Sequence, residues 1–209
     1  NPLFLIFFSL IFHCGLFSQS FVNINAPLTG LSNSSSAWGD FDNDKDMDLI
    51  ISGESSDGSL QIKLYRNTDG FFEEVSSNFT GIKNGSVKWG DYDNDGDLDL
   101  LSTGNNVEDK TTIYKNEGDS FTDIEPGFLY FGAFSHCTWT DFDHDGDLDV
   151  FITGNWNSKL YRNEGLDVFT DTGIEFISLI SSRACWADND NDGDKDLLVT
   201  GDSGGGMKL

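Results

Sequence analysis

The chain has 209 residues, a formal net charge of −24 and a sequence pI near 4.1. That acidity excludes a nucleic-acid partner, because phosphate would be repelled rather than neutralised. Acidic chains poor in aromatics stay disordered, but 13% aromatic content, with 18 Phe and 5 Trp, is enough here for a packed core.

Taken in chain order, Leu3 to Phe12 is apolar apart from Ser9. It is too short to span a bilayer, which takes about 20 residues. Ser18 and Ser20 then occupy the −3 and −1 positions of a cleavage site before Phe21, so residues 1–20 read as an export signal. A buried apolar strand or helix is the competing reading. The sequence has no initiator Met and no basic leading segment, and is expected to lack its first few residues. Bulky Phe12 and His13 before Cys14 argue against a lipid anchor. Export predicts a secreted or cell-surface protein with no transmembrane segment in the mature chain.

Four segments then align without gaps: Trp38 to Asp48 (WGDFDNDKDMD), Trp89 to Asp99 (WGDYDNDGDLD), Trp139 to Asp149 (WTDFDHDGDLD) and Trp186 to Asp196 (WADNDNDGDKD). Their first aspartates fall at 40, 91, 141 and 188, giving periods of 51, 50 and 47 residues. Each run is followed by an apolar stretch ending at Gly53, Gly104, Gly154 or Gly201. A Tyr-basic-Asn unit comes next in the first three repeats (Tyr65-Arg66-Asn67, Tyr114-Lys115-Asn116, Tyr161-Arg162-Asn163), then Gly70, Gly118 or Gly165, then Phe72, Phe121 or Phe169. The pattern predicts four short strands per repeat. The first ends at the Trp, the second follows the acidic run, the third ends at Tyr-basic-Asn and the fourth begins at the Phe, with Asn-x-Gly supplying hairpin chemistry. No window carries a helical period.

Four strands at such a period mark an all-β propeller. Blades are expected at 35–76, 85–125, 134–172 and 183–209. Phe21 stands 17 residues before Trp38, as the later Phe residues stand 17 or 18 before theirs, so 21–30 is expected to be the outer strand of a closing blade. Lys208-Leu209 matches Lys63-Leu64 and Lys159-Leu160, so the sequence is read as stopping inside a third strand. Residues 21–209 would then be an incomplete propeller of about 3.5 blades.

The acidic runs hold 20 of the 36 acidic residues. They are Asp40, Asp42, Asp44, Asp46 and Asp48; Asp91, Asp93, Asp95, Asp97 and Asp99; Asp141, Asp143, Asp145, Asp147 and Asp149; and Asp188, Asp190, Asp192, Asp194 and Asp196. Crowded carboxylates repel unless a cation offsets them. Alternating oxygens on a tight loop suit Ca²⁺: carboxylates at positions 1, 3, 5 and 9, the backbone carbonyl at 7, and a water. One ion per loop, up to four, would carry the formal charge from −24 to −16. No Cys or His falls at a ligand position, which disfavours zinc. An EF-hand needs Glu at position 12, where this chain has Ile51, Ser102, Ile152 and Val199. Plain acidic turns are the competing reading. Loop 1 is expected to be the weakest site, since Lys45 replaces the turn glycine and a side chain at positive φ costs about 1–2 kcal/mol. His144, at position 4 with Asn43, Asn94 and Asn191, is expected at a loop tip. Cys137 and Cys185 lie in different repeats and on opposite strand faces, so they are read as unpaired core residues, and metal replaces disulfides as the staple.

These Asp-x-Asp-x-Asp-Gly-x-x-Asp loops, set between Trp-Gly-Asp and an apolar strand, resemble the FG-GAP/VCBS repeats of integrin α-subunit propellers and of many exported bacterial proteins. The resemblance covers residues 21–209. It implies a propeller, often seven-bladed, with calcium in the loop joining the first two strands of a blade. Lys45 departs from the pattern, and Phe131-Gly132 is a partial echo of the Phe-Gly segment. The chain looks like a divergent bacterial branch, so integrin ligand recognition is not carried over.

The expected function is a calcium-binding module for adhesion, recognition or scaffolding, with a protein or glycan ligand. One alternative is a lectin-like propeller using Trp156, with Phe128, Tyr130 and Phe131 either stacking on sugars or packing between blades. Another is a part of a larger secreted polysaccharide-active enzyme. No catalytic residue is assigned, since His136 and His144 sit in no nucleophile or hydrolase motif. The shared strand phase of Trp38, Trp89, Trp139 and Trp186 predicts packing between blades.

Overall fold

A computed structural model describes residues 22–108, 110–118 and 120–204. The expected export signal at 1–20 and the third-strand start at 208–209 lie outside the described residues. The first repeat forms β1 (Ser32–Gly39), β2 (Asp48–Glu54), β3 (Leu60–Thr68) and β4 (Phe71–Val75). The second forms β5 (Lys83–Gly90), β6 (Asp99–Asn105), β7 (Thr112–Asn116) and β8 (Phe121–Asp123). The third forms β9 (His136–Thr140), β10 (Asp149–Gly154), β11 (Asn157–Asn163) and β12 (Phe169–Asp171), and the fourth begins with β13 (Ile180–Ala187) and β14 (Asp196–Asp202).

Each of the first three repeats is a separate four-stranded antiparallel sheet in sequence order, and β13 pairs with β14. No helix occurs among the described residues, so the loops are flanked by strands, not by EF-hand helices. This is the blade architecture of a β-propeller. The first strands β1, β5, β9 and β13 lie side by side, placing them innermost. The second strands β6, as far as Gly104, and β10 are buried throughout, without alternation, because both of their faces are covered by neighbouring sheets.

The core therefore lies between blades. Ile50 and Leu64 of the first blade pack with Val87, Leu100 and Tyr114 of the second. Leu101 and Ile113 of the second pack with Cys137, Val150 and Ile152 of the third. Three of the four recurrent tryptophans pack on the preceding blade as their phase predicts, Trp186 edge-on against Phe151. Trp89 stacks on Phe41 of the preceding blade (6.4 Å between centroids, 12° between planes), and Trp139 on Tyr92 (6.1 Å, 3°). Gly39 and Gly90 are required for this: a Cβ there would stand 2.6 Å from the indole of Trp89 or Trp139. Trp38, with no blade before it among the described residues, is 57% exposed.

Connectors between blades are held by the Tyr of the Tyr-basic-Asn unit. The hydroxyls of Tyr65, Tyr114 and Tyr161 accept the backbone N–H of Thr29 (2.9 Å), Thr80 (2.9 Å) and Leu129 (3.1 Å). Residues 22–31 form no strand and follow the connector path, Thr29 taking the place of Thr80. The strands that an outer strand at 21–30 would join are not among the described residues. Cys137 is buried in the core as expected, but Cys185 is exposed, a correction. It stands one residue before Trp186, where Cys137 stands two before Trp139, so it takes the opposite face of its own sheet, and no further blade covers that face among the described residues.

Candidate metal centres between the first and second strands

In every repeat the acidic run is the loop leading from the first strand into the second. One carboxylate oxygen from each of positions 1, 3 and 9 converges to within 4.8 Å: Asp40, Asp42 and Asp48; Asp91, Asp93 and Asp99; Asp141, Asp143 and Asp149; Asp188, Asp190 and Asp196. Two oxygens held at about 2.4 Å on opposite sides of one calcium are themselves about 4.8 Å apart, so each trio can share an ion.

The three positions are fixed by different means. The position-9 aspartate opens the second strand and is fully buried in the first three repeats. Its Oδ2 accepts the position-2 backbone N–H, from Phe41 (3.0 Å), Tyr92 (3.2 Å) or Phe142 (3.1 Å). Its Oδ1 accepts the N–H of the third-strand Asn: Asn67 (2.7 Å), Asn116 (2.8 Å) or Asn163 (2.9 Å). Burial pushes Asp99 up to about 7 and Asp149 to about 6, against those hydrogen bonds, and raises Asp48 too. In the fourth repeat, where no third strand is described, Asp196 is exposed.

The position-1 aspartate is held by the turn. Lys45 N–H donates to Asp40 Oδ2 (2.9 Å), Gly96 N–H to Asp91 Oδ2 (3.1 Å) and Gly193 N–H to Asp188 Oδ2 (3.1 Å). This turn needs positive φ at position 6, which Lys45 adopts at 80° where Gly96, Gly146 and Gly193 take 95–100°. The position-3 aspartate meets the basic residue of the third strand. Arg66 Nε bonds Asp42 Oδ2 at 2.6 Å and Lys115 pairs with Asp93, whereas Arg162 turns to Glu164.

These contacts leave oxygens over. Asp40 Oδ1, Asp42 Oδ1, Asp93 Oδ1, Asp141 Oδ1 and Asp188 Oδ1 are buried with no hydrogen-bond partner. Such atoms are costly unless something binds them, and an all-oxygen set suits a hard cation. The residues therefore fit calcium. The carboxylates at position 5 (Asp44, Asp95, Asp145, Asp192) are not in the trios. Their Oδ1 atoms accept the position-7 N–H at 2.8–3.0 Å, closing the turn.

The position-7 and position-4 side chains do something that spacing alone did not reveal. Asn43 Nδ2 donates to Asp97 Oδ1 (2.7 Å) and Asn94 Nδ2 to Asp147 Oδ1 (2.8 Å), each reaching into the next loop, and His144 Nε2 lies 3.5 Å from Asp194 Oδ1. The third-strand Asn also does more than turn a hairpin. Asn116 Nδ2 donates to Phe41 O and Asn163 Nδ2 to Tyr92 O, both at 2.8 Å and both in the preceding loop. Their recurrence at fixed offsets from the acidic run was the available signal.

The FG-GAP-like repeat family matches three overlapping stretches, residues 40–102, 91–152 and 141–199, each running from one acidic loop into the next repeat. The chain belongs to the FG-GAP-like repeat family. No curated protein sequence matches it. Among solved structures this FG-GAP chain is similar to that of an Agrocybe aegerita lectin, solved for specific recognition of non-reducing terminal N-acetylglucosamine. The TM-score is 0.50 at 17% identity, over 79% of this chain and 46% of the lectin, so the likeness is one of fold and spans under half of the lectin's length.

Proposed function

We infer that this FG-GAP propeller is a calcium-dependent, non-catalytic recognition module that works outside the cell. The observation carrying the metal reading is the converging carboxylate trio in each loop, together with at least one buried carboxylate oxygen there that has no partner. Calcium bound there neutralises the loop and fixes the angle between first and second strands, giving a rigid ring face on which a ligand can dock. Extracellular modules bind calcium at ~10⁻⁴–10⁻³ M, so export would supply the ion. Among the described residues no helix is long and apolar enough to cross a membrane. Both histidines among the described residues have structural neighbours. His136 Nδ1 accepts Ala184 N–H (3.3 Å), and burial lowers it to about 4, which favours a neutral structural acceptor over a general base near neutral pH.

The test is native mass spectrometry of the chain with calcium and, separately, magnesium. Up to four bound calcium ions at millimolar concentration support the reading; identical spectra in the two metals and in EGTA sink it.

A second reading, glycan recognition, is favoured by Trp156. It sits in the turn between β10 and β11 at φ 63°, beside Asn155 at 47°, and is 49% exposed. A two-residue turn of this kind prefers Asn-Gly, so a bulky aromatic there is strained, and strain of this sort concentrates at functional positions. Phe128 and Phe131, by contrast, are buried between blades. A glycan array in calcium would detect binding; signal that survives Trp156→Ala unchanged excludes that residue as the platform.

A further inference from the structure

Loops 1 and 2, and loops 2 and 3, are each joined twice. At the tip, the position-4 residue stands at left-handed φ in every loop: Asn43 59°, Asn94 60°, His144 62° and Asn191 62°. Three of these side chains aim at the position-7 carboxylate of the following loop. The two asparagines also reach the position-6 carbonyl there, Asn43 to Gly96 O (3.2 Å) and Asn94 to Gly146 O (3.4 Å). Asp46, with no earlier loop among the described residues, instead accepts the N–H of Asp69 (2.7 Å) from its own blade. The position-7 side chain is therefore a docking point for the loop before it.

At the base, the third-strand Asn links a different pair of atoms. Asn116 hands its backbone N–H to Asp99 of its own loop and its amide to the Phe41 carbonyl of the loop before. Asn163 does the same for Asp149 and Tyr92. Both asparagines are buried, and Asp99 and Asp149 belong to the converging trios. A short chain of hydrogen bonds thus links a backbone carbonyl of one loop to a converging carboxylate of the next.

We propose that these bridges couple cation binding between adjacent loops, so that filling one loop raises the affinity of its neighbour. The proposal rests on the calcium reading above. An ion that closes loop 2 sets the position of Asn94. Asn94 in turn holds Gly146 and Asp147, the residues whose backbone must wrap the ion of loop 3. Because coupling is reciprocal, an ion in loop 3 tightens loop 2 by the same factor.

The test uses the whole chain titrated with CaCl₂, with the backbone amides of Gly96 and Gly146 followed by NMR as separate reporters of loops 2 and 3. Asn94→Gly removes the clasp while tolerating the left-handed φ. It changes no residue of loop 3, yet the Gly146 midpoint should rise about fivefold, the worth of one ordinary hydrogen bond. Asp147→Ala removes the acceptor but keeps its carbonyl, and should raise the Gly96 midpoint in loop 2 similarly. Adding Asn94→Gly to Asp147→Ala should raise it by less than the two separate effects added together, since only the longer contact to Gly146 O (3.4 Å) is left to lose. If ions bind but each distant midpoint ignores the substitution, the coupling is overturned and the calcium reading stands. If no ion binds, the calcium reading falls and the coupling with it.

Discussion

At the scale of single residues, the loops are governed by buried carboxylates that lack enough partners. Asp99 and Asp149, pushed up to about 7 and about 6 by burial, hold protons in the folded metal-free chain that an unfolded carboxylate releases near about 4. Between those values the folded state binds more protons than the unfolded one, so stability falls as pH rises. In EGTA the melting temperature should therefore be higher at pH 5 than at pH 8, and calcium, which displaces those protons, should reduce the difference. A melting temperature that climbs with pH in EGTA would contradict this. Lys45 is the other informative residue. Its φ of 80° is one that glycine adopts freely. Lys45→Gly should stabilise loop 1 by about 1 kcal/mol, read as a lower calcium midpoint for that loop. The strain at Lys45 was legible in the sequence because three sibling loops carry Gly at the same position. The clasp from Asn43 to Asp97 was not, because a loop-tip asparagine looks the same whether it faces solvent or a neighbouring blade.

At the scale of the element, sheet boundaries followed from chemistry at fixed offsets. The second strand starts on the position-9 aspartate in every repeat, and the fourth starts at or beside the Phe. These were legible because Trp, Asp, Gly and Tyr-basic-Asn each mark a strand end. What could not be read is which blade each side chain serves. Asn67, Asn116 and Asn163 announce a hairpin by their Asn-x-Gly spacing. They do accept the Gly70, Gly118 and Gly165 N–H groups at 2.8–3.0 Å. Their amides, however, are spent on their own loop and, for Asn116 and Asn163, on the preceding blade, a contact some 70 residues away in sequence. Asn163→Ala should cost about 1–3 kcal/mol in chemical denaturation, since the buried Tyr92 carbonyl loses its donor. Gly90→Ala should cost about 1–3 kcal/mol by driving a methyl into Trp139, and a melt unchanged by that substitution would mean the blades are not packed as described.

At the scale of the molecule, the fold is a row of sheets that share their core only across boundaries, with no disulfide among the described residues. A chain of net charge −24 built this way stacks carboxylate loops along one face, because every first-to-second strand turn points the same way. On the calcium reading proposed above, cation binding is a property of the whole row and sets how firmly each blade holds the next. At about 10 mM calcium and a dissociation constant of ~10⁻³ M, each ion adds about 1.4 kcal/mol to folding. Four such ions would raise the melting temperature by roughly 10–20 °C for a chain of this size. The direct test is thermal unfolding followed by circular dichroism in about 10 mM CaCl₂ and in excess EGTA at one pH and ionic strength. A rise of that order in calcium, not reproduced by magnesium, is what these loops predict; coincident melting curves in calcium and EGTA would contradict them.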